Sequence, residues 1–368
     1  TLDTAIAANV KPDEPGLIMA VWQDGDLLYQ GQRGMASKDQ PISEKTRFRL
    51  ASVSKTFTAI AVMQLYEAGK IKLEDKILDY FPEFDPSWQD ISIHQLLSHR
   101  SGIPDFANDF VPQKILPNGI TNPNVIEYFV RHPELEYEPG TDAQYSNTGY
   151  VILAELVARI TGVSYADYMA QSVFSKIGMK DSYIFDEYAD IKPNTALNFA
   201  NTHDIDGKGF WSTGTAGQIS SLQDMLTFVA TLTSEELIAN SSKALMLEPY
   251  SDISVFSGGY GYGLAFFNPQ RGVIGHTGGH GGFRTIFAYS LEKNAAVIIL
   301  GNGGDALPER ACGGLDTRGD EILGVTRCQR MQLTEILQLI DGHALHAGEM
   351  QERVEQHRAV AGGEHETV

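Results

Sequence analysis

The chain has 368 residues, of which 42% are hydrophobic, and a formal net charge of −19. This length can bury a substantial core in one large domain or two packed subdomains, and the composition is that of an ordinary folded protein. The acidic excess argues against nucleic acid or an anionic membrane surface as the main partner, because phosphate groups would be repelled. No apolar run approaches the ~20 residues that a membrane-spanning helix needs.

Two strands and one helix are predicted near the start of the chain. Residues 16–23 form an apolar run that indicates a strand, and the Asp-Gly pair at 24–25 is typical of a hairpin turn. A second strand is predicted around residues 27–29. Between 52 and 68, apolar residues recur at three- and four-residue steps, which predicts a helix capped by Gly69.

The middle of the chain reads as helical and its later part as strands. Residues 70–145 alternate short helices with loops marked by Pro and Gly, and a clear helix is predicted over 148–159. Two more strands are predicted at 286–290 and 295–300. Strands at both ends with helices between them predict an α/β (α+β) fold, an antiparallel sheet flanked by helices with an all-helical insertion.

These elements suggest three regions along the chain. Residues 1–74 and 211–305 would form the α/β sheet domain, and 75–210 a mainly helical domain. Residues 306–368 would be a C-terminal segment with a short helix at 331–340 and a polar, mobile tail.

Cysteine usage bears on the cellular compartment. The chain has two cysteines, Cys312 and Cys328, and the preceding 311 residues have none. A region without cysteine suits an exported bacterial protein and gives no sign of a thiol nucleophile. We therefore expect a periplasmic or extracellular protein whose leader is absent from this chain, with a cytoplasmic protein as the alternative.

The first candidate catalytic pair is Ser52 with Lys55, in the sequence Ser-Val-Ser-Lys. A serine hydroxyl is a poor nucleophile until a base removes its proton. Residues three apart share one face of a helix, so the amine of Lys55 can lie beside the hydroxyl of Ser52. Lysine can act as the base if burial lowers its pKa, whereas a capping serine before a surface lysine is the simpler alternative.

Two further motifs follow in a fixed order. Tyr145-Ser146-Asn147 precedes the predicted helix at 148–159, and His276-Thr277-Gly278 opens a glycine-rich stretch. A tyrosine near an amine can relay protons, and an asparagine can both orient the lysine and bind a substrate amide. Each motif alone has a purely structural interpretation, but their joint occurrence with Ser52 and Lys55 indicates a serine acyl-transfer enzyme.

With these motifs the chain resembles the β-lactamase and penicillin-binding superfamily of serine hydrolases. The resemblance is to the branch with class C β-lactamases, D-alanyl-D-alanine carboxypeptidases, D-amino-acid peptidases and related esterases, and it covers about residues 5–305. Further matching segments lie at 49–51, 96–102, 139–141, 177–179, 212–214 and 260–263. The resemblance implies a β-lactamase/transpeptidase-like fold and hydrolysis of a peptide, amide or ester bond through a covalent acyl-enzyme.

The resemblance also assigns roles to individual residues. Ser52 would be the acylated nucleophile, Lys55 its proton acceptor, Tyr145 the group that shuttles the proton, and Asn147 a substrate-orienting group. His276, Thr277 and Gly278 would contact the substrate on a strand that borders the site. The backbone N–H groups of Ser52 and Gly279 would form the oxyanion hole.

One departure from the family pattern concerns the substrate. Class C β-lactamases usually carry Lys-Thr-Gly at the third motif, where this chain has His276. Because imidazole is mostly neutral at neutral pH, we expect a weaker and pH-dependent attraction for a substrate carboxylate. A D-peptide, an ester and a β-lactam remain open as substrates.

Other functions are disfavoured. The glycines at 278–282 lack the Lys-Ser/Thr ending of a phosphate loop, and Ser52 lacks the Gly-x-Ser-x-Gly context typical of a Ser-His-Asp hydrolase. The pairs His94 with His99 and His343 with His346 have no acidic companions at metal-site spacing, so we predict no metal and no cofactor. We expect a small-molecule or peptide substrate, with covalent β-lactam binding as an alternative and no prediction of oligomeric state. The non-enzyme alternative is a penicillin-binding sensor or scaffold with slow turnover.

Overall fold

The computed structural model describes residues 2–107, 120–186, 188–197, 212–253, 256 and 258–303, and the structural statements below concern these residues. The predicted helix at 331–340, the predicted mobile tail and both cysteines lie outside them. The division into a sheet domain and a helical domain therefore stays a prediction.

A six-stranded antiparallel sheet forms the centre of the fold. Its strand order is β2-β1-β11-β10-β9-β8, so strands from the two ends of the described chain lie side by side. The strands are β1 (Leu17–Gln23), β2 (Asp26–Arg33), β8 (Ala265–Asn268), β9 (Val273–His280), β10 (Phe283–Ser290) and β11 (Ala295–Gly301). This arrangement confirms the predicted antiparallel sheet built from both ends.

Five shorter strands lie outside this sheet. A two-stranded sheet joins β3 and β4, and a three-stranded sheet has the order β5-β7-β6. Their bounds are β3 (Met35–Ser37), β4 (Gln40–Pro41), β5 (Arg47–Arg49), β6 (Tyr183–Ile184) and β7 (Gln218–Ser221). Because β6 falls within the region predicted as an all-helical insertion, that region is not helical throughout.

Nine α-helical segments pack around the sheets in the described residues. They are α1 (Leu2–Asn9), α2 (Ser54–Glu67), α3 (Ile93–Leu97), α4 (Asn122–Arg131), α5 (Asn147–Thr161), α6 (Tyr165–Tyr168), α7 (Ser175–Ile177), α8 (Leu222–Thr231) and α9 (Asn240–Met246). A π-helical turn at Met169–Phe174 joins α6 to α7, and 3₁₀ turns lie at Ala51–Val53, Ile77–Asp79, Pro86–Trp88 and Pro269–Arg271.

The sheet is covered on both faces. On one face, Phe57 of α2 and Phe228 of α8 lie in one large apolar cluster with Phe287 of β10. On the other face, Ile6 of α1 packs with Met19 and other apolar residues of the sheet. Helix α2, which carries Lys55, is therefore buried against the sheet.

Local signals in the sequence explain how these elements end. The predicted Asp-Gly turn between β1 and β2 has positive φ at Asp24 (52°) and Gly25 (97°), as tight hairpin turns require. Helix α2 ends at Gly69, which has a φ of 66°. The N–H groups of Gly69 and Lys70 donate to the carbonyls of Tyr66 and Leu65, which is the hydrogen-bond pattern of a glycine C-cap.

No single described helix is long and apolar enough to cross a bilayer. Helix α5 and residues Tyr165–Ile177 are together long and apolar enough to cross a bilayer, but the two parts are bent by 79° relative to each other. Its first member is largely buried among other helices, as expected of a core helix.

Candidate active site

Ser52 lies at a short 3₁₀ turn, Ala51–Val53, between β5 and α2. The preceding residue, Ala51, has a φ of 49°, a left-handed conformation that is costly for a residue other than glycine. The turn is fixed on the sheet side, where Thr285 Oγ1 donates to the carbonyl oxygen of Leu50 at 2.7 Å. Ser52 itself is only partly buried, so a reagent in solvent can approach it.

Lys55 lies one turn further along and is fully buried. Its Nζ atom is 3.1 Å from the Oγ atom of Ser52, which is the distance that proton transfer needs. Burial lowers the pKa of Lys55 to about 7, although the charge of Asp105 acts in the opposite direction. Near neutral pH the amine is therefore available as a base in about half of the molecules.

Three further acceptors surround the amine of Lys55. Nζ lies 2.7 Å from Oδ1 of Asn147, 2.7 Å from Oγ1 of Thr215 and 3.2 Å from the carbonyl oxygen of Thr215. The amine can thus move very little, and its fourth polar neighbour is the Ser52 hydroxyl.

Asn147 links Lys55 to a buried carboxylate. Its Nδ2 atom donates to Oδ2 of Asp105 at 2.8 Å, while its Oδ1 atom also accepts from Thr215 Oγ1 at 2.5 Å. Both lone pairs of the amide oxygen are therefore used within the protein, and one N–H remains for a substrate carbonyl. Asn147 Oδ1 lies where it can orient the amine of Lys55, and the lysine-orienting and substrate-binding roles of Asn147 both stay predictions.

Tyr145 packs over the amine of Lys55. Nζ is 4.7 Å from the centroid of its ring, close enough for a favourable interaction with the ammonium form. Burial raises the pKa of Tyr145 well above 10, and an interaction with the Ser52 hydroxyl only partly offsets this. The phenol hydroxyl reaches no partner at full hydrogen-bond geometry among the described residues. Tyr145 is consequently a neutral phenol, suited to pass on a proton and not to start the reaction as a base.

His276 is fully buried, and both of its ring nitrogens are engaged. Nδ1 lies 2.6 Å from the carbonyl oxygen of Thr277, so it carries the proton, and Nε2 accepts from the hydroxyl of Tyr260 at 2.9 Å. Burial lowers the pKa of His276 to about 3, with a further decrease from the charge of Lys55. The expected pH-dependent attraction for a carboxylate is wrong for this arrangement, because the ring does not titrate near neutral pH.

The rest of the third motif forms the edge of β9 beside the serine. Thr277 is 3% exposed, and Gly278 approaches the 3₁₀ turn so closely that a Cβ atom there would lie 2.2 Å from the carbonyl oxygen of Leu50. Gly278 is therefore needed for close packing between β9 and the turn that carries Ser52. Gly279, opposite Arg284 on β10, is partly exposed next to this contact. Its predicted place in the oxyanion hole is compatible with this position and stays a prediction.

Three residues at the site were given no catalytic or substrate-binding role from the sequence. Asp105 and Thr215 complete the surroundings of Lys55 and Asn147, and the ring of His99 lies 4.5 Å from that of Tyr145. His99 accepts the backbone N–H of Ser146 at 3.1 Å through Nδ1, and burial lowers its pKa well below 6.5. His99 lies within the matched segment 96–102 and was weighed there only as a metal ligand, and Thr215 directly follows the matched segment 212–214.

A metal site needs several ligating side chains that lie close together. Across the described residues, no group of three or more His, Cys, Asp or Glu side chains is arranged to hold a metal ion.

The chain is similar to known proteins of one family. The sequence profile named Beta-lactamase matches residues 2–313. Penicillin-binding protein 4* of Bacillus subtilis is 27% identical over 310 residues, covering 78% of this chain and 68% of that protein. Protein flp of Staphylococcus aureus (strain MW2) is 22% identical over 327 residues, and the match spans 62% of its length, or somewhat less than two thirds.

The chain is also similar to solved structures. D-amino acid amidase from Ochrobactrum anthropi SV3 matches with a TM-score of 0.70 and 26% identity, covering 82% of this chain and 91% of that one. The octameric penicillin-binding protein homologue from Pyrococcus abyssi matches with a TM-score of 0.70 and 25% identity, covering 82% and 72%. Because the family profile extends over most of the chain, the chain belongs to the β-lactamase family and is a serine hydrolase.

Proposed function

We propose that the protein hydrolyses amides or short peptides of D-amino acids through an acyl-enzyme on Ser52. The observation that carries this proposal is the 3.1 Å contact between Ser52 Oγ and a buried Lys55 amine whose pKa is about 7. A base with a pKa near the working pH combines a large deprotonated fraction with sufficient basicity.

The reaction would proceed in two steps. In acylation, Ser52 Oγ bonds to the substrate carbonyl carbon while its proton passes to Lys55 Nζ. The carbon–nitrogen bond then breaks, and the leaving amine receives a proton that Lys55 supplies through Tyr145. In deacylation, water attacks the ester carbonyl carbon while one of its protons passes to Lys55 Nζ. The bond between that carbon and Ser52 Oγ then breaks, and Lys55 returns the proton to Ser52 Oγ.

The state of His276 favours substrates that do not depend on carboxylate recognition by the third motif. A neutral, doubly hydrogen-bonded imidazole supplies no positive charge where a Lys-Thr-Gly motif would. The solved D-amino acid amidase supports an amide substrate, and the Bacillus penicillin-binding protein supports acylation by a β-lactam. Esterase and class C-like β-lactamase activities are the alternatives.

A side-by-side assay distinguishes these substrates. The protein would be given D-phenylalanine amide, a D-Ala-D-Ala peptide, p-nitrophenyl acetate and nitrocefin, with mass spectrometry for the acylated serine. We expect turnover of the first or second substrate and a Ser52-linked acyl group that is absent from Ser52→Ala. Retained turnover in Ser52→Ala would contradict the proposal, and a burst of acylation without steady turnover would support the sensor alternative.

We also infer that the protein acts outside the cytoplasm. The absence of cysteine before residue 312 is compatible with an oxidising compartment. Fractionation of the producing cells, followed by immunoblotting, tests this inference, and recovery of the protein only with cytoplasmic markers would contradict it.

A further inference from the structure

Asp105 is a buried carboxylate within the active site to which the reaction above assigns no step. It is 6% exposed and lies in a loop, two residues before the end of the described range 2–107. A carboxylate is costly to bury unless its oxygens receive hydrogen bonds. Oδ1 accepts the backbone N–H of Ala107 at 3.0 Å, and Oδ2 accepts from Asn147 Nδ2 at 2.8 Å. Burial raises the pKa of Asp105, whereas these donors and the charge of Lys55 act against burial.

We propose that Asp105 is a positioning residue that turns the amide of Asn147 so that its carbonyl oxygen faces Lys55 and leaves the amine's lone pair to Ser52. This inference rests on the proposed acylation of Ser52. The two ends of the Asn147 side-chain amide differ in chemistry although they have nearly the same shape.

An ionised carboxylate only accepts hydrogen bonds, so Asp105 selects one amide orientation. With Nδ2 towards Asp105, a charge-assisted hydrogen bond forms at 2.8 Å. The flipped amide would place its oxygen against the carboxylate and its NH₂ group against the protons of Lys55. The neutral amine of Lys55 and the hydroxyl of Thr215 can each either donate or accept, so among the described contacts of Asn147 it is Asp105 that enforces this choice when Lys55 acts as the base.

The chosen orientation determines how the protons of Lys55 are used. Asn147 Oδ1 accepts from Thr215 Oγ1, so the hydroxyl oxygen of Thr215 is free to accept from Lys55. A neutral amine has two N–H groups, which go to Asn147 Oδ1 and Thr215 Oγ1, both 2.7 Å away. The remaining lone pair is then left for the Ser52 hydroxyl at 3.1 Å.

The carboxylate is held in place by the start of α5. Thr148 Oγ1 donates to the carbonyl oxygen of Pro104 at 2.7 Å and accepts the N–H of Phe106 at 2.9 Å. These two bonds flank Asp105 on both sides, so its position relative to Asn147, the first residue of α5, is fixed. Such support is what a positioning residue requires.

The separation between Asp105 and Lys55 is also significant. In the part of the chain that the structure describes, the two do not form a direct ion pair, and the Asn147 amide lies between them. A direct carboxylate contact would hold the proton on Lys55 more strongly and oppose its use as a base. Because the Asn147 amide lies between them, Asp105 can orient Asn147 while its carboxylate raises the pKa of Lys55 less than a direct contact would.

The test compares Asp105→Asn with Asp224→Asn. Asp224 is a matched control, since it is 3% exposed and accepts from the Asp181 N–H and the Ser182 hydroxyl, neither of which is a hydrogen-bond partner of Lys55. The probe is p-nitrophenyl acetate, and the readouts are the acylation rate against pH and the folded fraction. Asp105→Asn should lower the plateau rate about 10- to 100-fold, as the loss of a charge-assisted hydrogen bond implies. It should also move the acidic limb to lower pH, whereas Asp224→Asn should do neither.

Repeating Asp105→Asn in an Asn147→Ala background tests whether the effect passes through Asn147. We expect less than about a threefold further loss there, because the amide to be oriented is gone. A full loss in that background, or a wild-type plateau in Asp105→Asn alone, would overturn the proposal.

A readout without substrate separates this inference from the proposed function. Hydrogen exchange of the Asn147 side-chain amide, identified by its absence in Asn147→Ala, should be slow in the wild type and in Asp224→Asn but fast in folded Asp105→Asn. Slow exchange in Asp105→Asn would reject the positioning role. Undiminished ester turnover by Ser52→Ala would instead reject the proposed function.

Discussion

The Nζ atom of Lys55 lies 3.1 Å from the Oγ atom of Ser52. Lys55 follows Ser52 by one helical turn and is fully buried. Because burial lowers the pKa of Lys55 to about 7, we expect the acylation rate to rise through neutral pH with a midpoint near 7. The rate should level off at higher pH, where the amine is fully deprotonated. Stopped-flow measurement of p-nitrophenolate release from pH 5 to 9 checks this profile.

Substitution of Lys55 by alanine should lower the acylation rate about 10²- to 10⁴-fold and remove the acidic limb, because the serine loses its base. Lys70→Ala is the control, since Lys70 is exposed at the end of α2. An unchanged acidic limb in Lys55→Ala would assign the titration to another group.

The same pKa predicts how stability depends on pH. The unfolded chain holds the Lys55 proton up to the ordinary value of 10.5, whereas the folded chain releases it above about 7. Between these values the unfolded state binds more protons, so the free energy of unfolding rises with pH. From pH 7 to 9 the contribution of Lys55 is about 2 kcal/mol.

This rise should be absent from Lys55→Met, in which the remaining titratable groups are unchanged. Urea unfolding of both proteins at pH 7 and pH 9 gives the difference between their pH dependences, in which the other groups largely cancel. Equal pH dependences would mean that Lys55 keeps an ordinary pKa in the folded protein.

The sequence predicted the parts of the site that depend on local spacing. Ser52 and Lys55 meet because a helical turn brings residues three apart together. Asp105 and Thr215 could not be predicted in this way, because distant segments of the chain bring them to Asn147. Their residue types are common in loops, and no spacing rule marks them.

The third motif shows a different limit of sequence reasoning. A histidine in place of lysine correctly indicated a neutral group, but not its cause or its partner. Burial lowers the pKa of the ring out of the neutral range, and the hydroxyl of Tyr260, sixteen residues away, is its hydrogen-bond partner at Nε2. Likewise, Gly278 was expected to contact substrate, whereas its clearest role in the structure is close packing against Leu50.

The pairing of His276 with Tyr260 gives a prediction about stability. Removing one partner leaves a buried polar atom without its hydrogen bond, which costs about 1–3 kcal/mol. We therefore expect His276→Phe and Tyr260→Phe each to lower the free energy of unfolding by about this amount. The double variant should lose less than the sum of the two, because both polar atoms are then gone. Denaturant unfolding of the four proteins gives the coupling energy, and strict additivity would show that the contact at 2.9 Å contributes nothing.

The close approach of Gly278 to Leu50 predicts a loss of activity in Gly278→Ala. The added methyl would lie 2.2 Å from the Leu50 carbonyl oxygen and 2.4 Å from Thr285 Oγ1, so β9 and the turn before Ser52 must move apart. A displacement of about 1 Å at a reacting group can cost about a hundredfold in rate. We expect a loss of this order in the acylation of Ser52 by p-nitrophenyl acetate.

Gly162→Ala provides the contrast for that variant. Gly162 has a φ of 73° and open space around it, so the change strains the backbone after α5 and leaves the active site in place. It should lower the free energy of unfolding by about 1 kcal/mol, with the acylation rate of the folded protein unchanged. Because Gly278 does not have a left-handed φ, its alanine variant tests packing and not backbone strain. If folded Gly278→Ala acylated as fast as Gly162→Ala, the spacing between β9 and the serine turn would not control the reaction.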